Sequence, residues 1–193
     1  MDQRDLLCAR HELLTPRLRL ESPRLEHAPA ILESVNFSLP GLKFVAWAQQ
    51  AVDRVWADAF SQRGAHFVAK GDALIFYAFD RSDGAFVGIV DLHSFDFSVP
   101  AAQIGYVGDA RRTGRGLMRE ATLAVIDLGF ALGLQRIEAW CDVRNARSIR
   151  FAECLGMQSE GMRRSAERDP QGDLCDQLVL SRTRTASTSA QSS

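Results

Sequence analysis

The stretch Gln103-Ile104-Gly105-Tyr106-Val107-Gly108-Asp109-Ala110-Arg111-Arg112-Thr113-Gly114-Arg115-Gly116-Leu117 decides the fold. Gln103 to Val107 reads as a short strand. From Leu117 onward, Leu117, Ala121, Ala124, Val125, Leu128 and Leu132 fall at i, i+4, i+7, i+8, i+11 and i+15, the buried stripe of an amphipathic helix. Gly133 supplies the left-handed residue that ends such a helix. Ile137, Ala139 and Cys141 then alternate as a strand, so the segment forms a strand-helix-strand unit that crosses over right-handed.

The loop inside this unit, Asp109 to Gly116, has a definite chemistry. The first amides of a helix lack intrahelical acceptors and carry the positive end of its dipole, so they bind phosphate. Glycines at 114 and 116 let backbone N–H groups approach oxygen atoms without a Cβ between, and Arg111, Arg112 and Arg115 add charge. A pyrophosphate is the natural guest. The loop is neither a Walker sequence, lacking G-K-[ST], nor a G-x-G-x-x-G dinucleotide fingerprint.

Upstream, Leu18 and Leu20 alternate with Arg17 and Arg19 as a half-buried strand does, and Ser22-Pro23 predicts an N-cap and first turn for a helix reaching about Val35. After the break at Leu39-Pro40-Gly41, Val52, Val55, Trp56, Ala59 and Phe60 predict a second helix closing near Gly64. Ala73 to Phe79 and Phe86 to Leu92, joined by Asp83-Gly84, read as a hairpin. Downstream, Asn145 caps a helix carrying Ile149, Ala152 and Leu155 and ended by Gly156, and Met157 to Met162 and Gln177 to Leu180 are closing strands. The order is β-α-α-β-β-β-α-β-α-β-β. It describes an α/β protein, α+β by some schemes, with a mixed central sheet of about 6 to 7 strands flanked by about 4 helices.

The chain has 193 residues and is 46% apolar, the size and composition of one domain. We assign that domain to residues 15–182, with polar, aperiodic tails at 1–14 and 183–193. A net charge of −1, from 23 basic and 24 acidic residues, argues against a nucleic-acid or membrane-surface partner. Cys8, Cys141, Cys154 and Cys175 form no C-x-x-C pair and have no histidines at zinc spacing, so the reading is reduced thiols, no metal and a cytoplasmic location. Neither an export signal nor an apolar run near the ~20 residues of a membrane span is evident.

The sequence resembles the GNAT acyltransferases, whose acyl-CoA loop, [Q/R]-x-x-G-x-[G/A], is met by Arg111-x-x-Gly114-x-Gly116. Ile104-Gly105-Tyr106, Arg136-Ile137-Glu138, Asn145-x-x-Ser148 and Glu153-Cys154-Leu155-Gly156-Met157 resemble the RimJ/RimL branch, which acetylates protein N-termini. Thr15-Pro16-Arg17-Leu18-Arg19-Leu20 and Ser38-Leu39-Pro40-Gly41-Leu42 resemble that branch's opening. The resemblance implies a GNAT fold and acetyl-CoA as co-substrate. It also implies direct attack by a primary amine, foremost the α-amine of a protein or peptide N-terminus, in a ternary complex. Coenzyme contacts are implied at Tyr106, Val107, Gly108, Arg111, Arg112, Thr113, Gly114, Arg115, Gly116, Leu117 and Asn145. The strand ending at Tyr106 to Gly108 should bulge and splay from Ala139 to Asp142, with the pantetheine arm in the slot and the amine arriving from the opposite side of the sheet. Dimers are common in this branch, which leaves a homodimer open.

Ser148, at the family's N-x-x-S position, is the candidate proton donor to the departing thiolate; serine is also common in a first helical turn. Asn145 is an N-cap by physics and a coenzyme contact by resemblance. Many relatives carry a glutamate base where this chain has Gln103, and an amide cannot take a proton, so Asp91, His93 and Glu138 are the remaining candidates. An α-amine with a pKa near 8 is about one-tenth neutral at pH 7, whereas lysine, near 10.4, is far less so. An N-terminal acceptor therefore asks less of the base. Two alternatives stay open: a small-molecule amine such as a polyamine or antibiotic, and an acyl-CoA-binding sensor without turnover. Arg144, Arg147 and Arg150 read as a solvated helix face or as contacts to the coenzyme 3′-phosphate. Trp47, Trp56, Phe44 and Phe60 read as helix packing ahead of acceptor-pocket lining.

Overall fold

A computed structural model describes residues 1–184. The elements are α1 (Gln3–Leu7), β1 (Glu12–Leu14), β2 (Leu18–Glu21), α2 (Ala28–Ser38), α3 (Arg54–Lys70), β3 (Leu74–Asp80) and β4 (Phe86–Asp96). They continue with β5 (Ala101–Gly108), α4 (Leu117–Leu132), β6 (Arg136–Asp142), α5 (Ala146–Cys154), β7 (Gln158–Arg168) and β8 (Leu174–Thr183). The strands make one mixed sheet in the order β1-β2-β3-β4-β5-β6-β8-β7, parallel only between β5 and β6. Among the described residues, no helix is long and apolar enough to cross a membrane.

Strand β3 shows how the sequence builds the layers. Its period-two pattern sends Leu74, Phe76 and Ala78 into one core, with Leu92, Ile104, Val125, Ile126 and Ile137, and Tyr77 and Phe79 into another, with Ile31, Val35 and Ile89. Helix α4 covers the first face and α2 and α3 the second. The buried stripe of α4 contains Leu117, Ala121, Val125 and Ile126, and Gly133 ends the helix at φ 112°, as the sequence predicts.

The departures from prediction have physical causes. Residues 1–14 are not a frayed tail. Asp2 caps α1 by accepting from Arg4 N at 2.7 Å, Leu6 is fully buried in the α4-side core, and β1 pairs with β2. A lone buried leucine on a five-residue helix leaves no periodicity to read, and this segment holds the extra strand and helix. Helix α2 starts at Ala28, with its proline, Pro29, in the first turn, and not at Pro23. The buried carboxylate of Glu21 accepts from Arg24 Nη2 at 2.5 Å and meets His27 Nε2 at 3.1 Å, which holds residues 21–27 in a turn. Helix α3 runs through Gly64 to Gly71, which ends it at φ 69°. Gly64 is a packing glycine, since a Cβ there would lie 3.1 Å from Pro23 Cγ. The predicted C-terminal tail begins within β8, and residues 185–193 lie outside the described residues.

Candidate active site

Strands β5 and β6 pair only at Ala101↔Arg136, Ala102↔Ile137 and Gln103↔Glu138. Past Gln103 they diverge. β5 stays in register with β4 from His93↔Gln103 to Gly88↔Gly108, and β6 stays on β8 from Arg136 to Asp142. The splay therefore occurs as predicted, but without the predicted bulge at Tyr106 to Gly108; the irregularity in the β4–β5 ladder lies between His93 and Asp96. A cleft of about 530 Å³ fills the gap. It reaches both faces of the sheet: Tyr106 and Cys141 on its walls belong to the α4-side core, Val107 and Tyr77 to the other.

Two features set the Asp109–Gly116 loop beside this gap. Gly88 and Gly108 lie opposite one another on β4 and β5, and a Cβ on either would strike Met118, at 2.4 Å from its Sδ and 2.8 Å from its Cγ respectively. The glycine pair thus lets the first turn of α4 sit directly on the end of β5. Gly114 and Gly116 then adopt φ 81° and 72°, turning the chain into the helix in a conformation that only glycine takes at little cost. Among the described residues, no protein acceptor is met by the backbone N–H groups from Gly114 to Arg119. A Cβ at Gly114 would meet nothing within 4 Å. The turn is open and its donors are free, as an oxyanion cradle requires.

The arginines behave differently from the sequence expectation. Arg111 is clamped on Asp109 (Nη2–Oδ2 2.6 Å, Nε–Oδ1 3.0 Å) and lies 5.4 Å from the Phe37 ring centre. Burial alone would raise the Asp109 carboxyl, but the hydrogen bonds from Arg111 hold it below the usual range. Arg112 pairs with Asp83 at 2.7 Å and Arg115 with Asp80 at 3.4 Å. The charge of these three is thus already met, and they shape the loop more than they charge it. Arg147, from α5, reaches Thr113 Oγ1 at 3.3 Å and has no carboxylate within 4.0 Å among the described residues. Arg144, by contrast, is spent on Asp142 and Asp169 at 2.6 and 2.9 Å. Glu120 anchors the helix end from outside. It accepts from Thr15 Oγ1 and Arg17 Nε, each at 2.6 Å, while Arg17 Nη1 donates to Arg115 O at 2.9 Å.

Deeper in the gap, Asn145 Oδ1 accepts from Ser148 N at 3.1 Å, so its capping role is real and fixes the first turn of α5. That turn places Ser148 Oγ 3.2 Å from the Tyr106 hydroxyl and 3.2 Å from Cys141 Sγ. Burial pushes both the Tyr106 phenol and the Cys141 thiol above their ordinary values, so both hold their protons. On the other face, His93 Nδ1 meets Asp91 Oδ1 at 2.6 Å, and both residues line the cleft with Gln103. The Asp91 hydrogen bond raises the imidazole's pKa against the opposing pull of burial. Room for the Asp91 carboxylate comes from Gly105, where a Cβ would lie 2.7 Å from Oδ2. Glu138 does not join them. It is held by Arg136 at 2.6 Å and Trp140 Nε1 at 2.7 Å, outside the cleft lining.

Residues 17–158 match the family model described as the acetyltransferase (GNAT) domain. This chain belongs to the GNAT family. A Bacillus subtilis (strain 168) relative, named a probable N-acetyltransferase, YjcK, is 37% identical over 97 residues, 49% of this chain and 54% of that protein. The match therefore spans about half of that relative's length. Among solved structures, the microcin C7 self-immunity acetyltransferase MccE, in complex with acetyl-CoA and AMP, superposes with a TM-score of 0.81 at 23% identity, covering 88% of this chain and 94% of that one. RimL, a ribosomal L7/L12 α-N-protein acetyltransferase solved with coenzyme A, gives 0.79 at 22% identity over 89% and 96%.

In this GNAT chain the sequence reading missed the wall opposite Ser148. Phe44, Trp47 and Phe60, expected to pack helices, line the cleft, and only Trp56 of that group stays behind them. It also missed Cys141 as a partner of Ser148, because the two approach only once β6 and α5 are folded together. The alternation of Cys141 with Ala139 was the available signal, and it reports burial alone.

Proposed function

We propose that this protein transfers an acetyl group from acetyl-CoA to a primary amine, foremost the α-amine of a protein or peptide. The observation that carries the reading is the gap beyond Gln103, together with the unclaimed amides from Gly114 to Arg119 where β5 turns into α4. In this reading those amides and Arg147 hold the coenzyme phosphates, and the free edge of β5 at Val107 and Gly108 pairs with the pantetheine amides as an added strand would. A backbone N–H there also stabilises the oxyanion that develops on the thioester carbonyl.

The amine approaches from the α2/α3 face. Its nitrogen bonds to the carbonyl carbon and gives up a proton to His93, which Asp91 orients; the C–S bond breaks, and the thiolate takes a proton from Ser148 Oγ. Tyr106, which burial keeps protonated, hydrogen-bonds Ser148 Oγ at 3.2 Å and steadies it as it gives up that proton, which solvent replaces after the products leave. His93 thus fills the role left vacant by Gln103. A small-molecule amine is the second reading, favoured by the aromatic walls of the cleft and by the fold shared with MccE. The test is mass spectrometry of products from acetyl-CoA with a peptide library and a small-amine panel. A mass increase of one acetyl group on a peptide α-amine supports the first reading; acetylation confined to small amines supports the second. Coenzyme binding without any product would instead make the chain an acyl-CoA sensor.

A further inference from the structure

Ile89, Asp91 and His93 of β4, and Ile75 and Tyr77 of β3, line the cleft and stand at alternate positions of adjacent strands, so they form the floor of its acceptor face. One end of that floor carries the proposed base. The other end rises into a slab of three rings: Trp47 and Phe60 with centres 4.9 Å apart, and Trp56 stacked on Phe60 at 4.8 Å with planes 19° apart. Trp56 also stacks on Trp47 at 6.0 Å and 27°. All three rings are partly buried against the α2/α3-side core, but only Trp47 and Phe60 line the cavity, so part of each faces open space and not a helix. Their backing by Trp56 fixes both planes in advance, so stacking a guest costs little further side-chain entropy. The Trp47 and Phe60 planes meet at 44°, so together they form an angled aromatic corner that takes one ring. Phe44 and Phe67 extend it, and Arg63 lies 5.7 Å over the Phe60 ring at the same cavity.

Resting on the acetyltransferase reading above, we propose that this slab selects the acceptor: an α-amine whose own side chain is an aromatic ring. The ring would stack on Trp47 with its edge toward Phe60 while the nitrogen projects along the floor to His93. A free aromatic amino acid and a peptide that begins with one share this chemistry. They differ at the carboxyl end, where a free carboxylate would reach Arg63.

The test is calorimetric binding of phenylalaninamide, alaninamide, phenylalanine and a Phe-Ala-Ala peptide to the protein saturated with coenzyme A, followed by their acetylation rates. The aromatic amide should bind at least about tenfold tighter than alaninamide, with kcat/KM in the same order. Trp47→Ala should erase that preference while coenzyme affinity stays unchanged. Tighter binding of phenylalanine than of its amide, lost in Arg63→Ala, marks the free amino acid as the source; tightest binding of the peptide marks an N-terminus. Equal binding of the alanine and phenylalanine amides, or a preference that survives both Trp47→Ala and Phe60→Ala, overturns the proposal. Failure of coenzyme A itself to bind would instead overturn the acetyltransferase reading on which it rests.

Discussion

The hydroxyl oxygens of Tyr106 and Ser148 stand 3.2 Å apart, one on the strand that leads into the Asp109–Gly116 loop and the other on the helix capped by Asn145. This contact bridges the two arms of the gap, and in the proposed mechanism it meets the departing thiolate. Ser148→Ala should lower kcat by about 100-fold, with little change in the KM for acetyl-CoA. Tyr106→Phe should have a smaller effect, and the double variant should lose less than the two singles combined, because both act on one proton. Steady-state thiol release read with a chromogenic disulfide decides this; additive losses would show that the two hydroxyls act independently.

Asp91 raises the pKa of His93, so the neutral imidazole accumulates only above the ordinary histidine value of about 6.5. The acid limb of kcat/KM should therefore lie above that value. Asp91→Asn should move it to lower pH and His93→Gln should abolish it. The sign for stability is opposite: the protonated pair contributes fully below the unfolded histidine pKa, and that contribution fades as pH rises through the raised folded one. A pH–rate profile beside a pH–melting profile should show the two trends crossing.

Gly114 has open space where a Cβ would be, at φ 81°. Gly114→Glu places a carboxylate among the amides meant for phosphate and should weaken coenzyme A binding by about 100-fold or more, the size of a few kcal/mol. Gly114→Asn, uncharged and tolerant of the left-handed region, should retain most of the affinity. Calorimetry on both variants separates lost electrostatics from lost backbone geometry.

Arg147 reaches toward the loop whereas Arg144 is tied to two aspartates. Arg147→Ala should weaken coenzyme A several-fold, more at low salt than at high. If its target is the 3′-phosphate, dephospho-coenzyme A should bind wild type and variant equally. Comparing the four affinities measures that contact.

Leu6 is fully buried against the α4-side core. Leu6→Ala should cost about 2 to 5 kcal/mol in urea unfolding, and removal of residues 1–10 should cost at least as much. A change within error would mean that α1 only rests on the domain.

Much of this was legible beforehand, and the limits are instructive. The α4 stripe, the Gly133 stop, the Asp83-Gly84 hairpin and the Asn145 cap all depend on neighbours within a few residues, and all appear where the pattern puts them. The α2 start failed because Glu21, Arg24 and His27 form a private hydrogen-bonded cluster that outweighs the proline signal at Pro23. The Arg111, Arg112 and Arg115 charges were visible, but not that they are met: the partner of Arg111, Asp109, stands in the same loop, while Asp80 and Asp83 come from a distant segment. The aromatic wall failed for the same reason, since helical spacing says that a ring is on the inner side of a helix and says nothing of whether that side faces core or cavity.

The three rungs between Ala101–Gln103 and Arg136–Glu138 are the whole lateral join between β1–β5 and β6–β8. Mechanically the sheet is two wings on a short hinge, with Ala102 and Ile137 as its buried pin. The opening angle at that hinge sets the width available to a thioester farther out, so a bulkier side chain at Ala102 should alter turnover without touching any reacting atom.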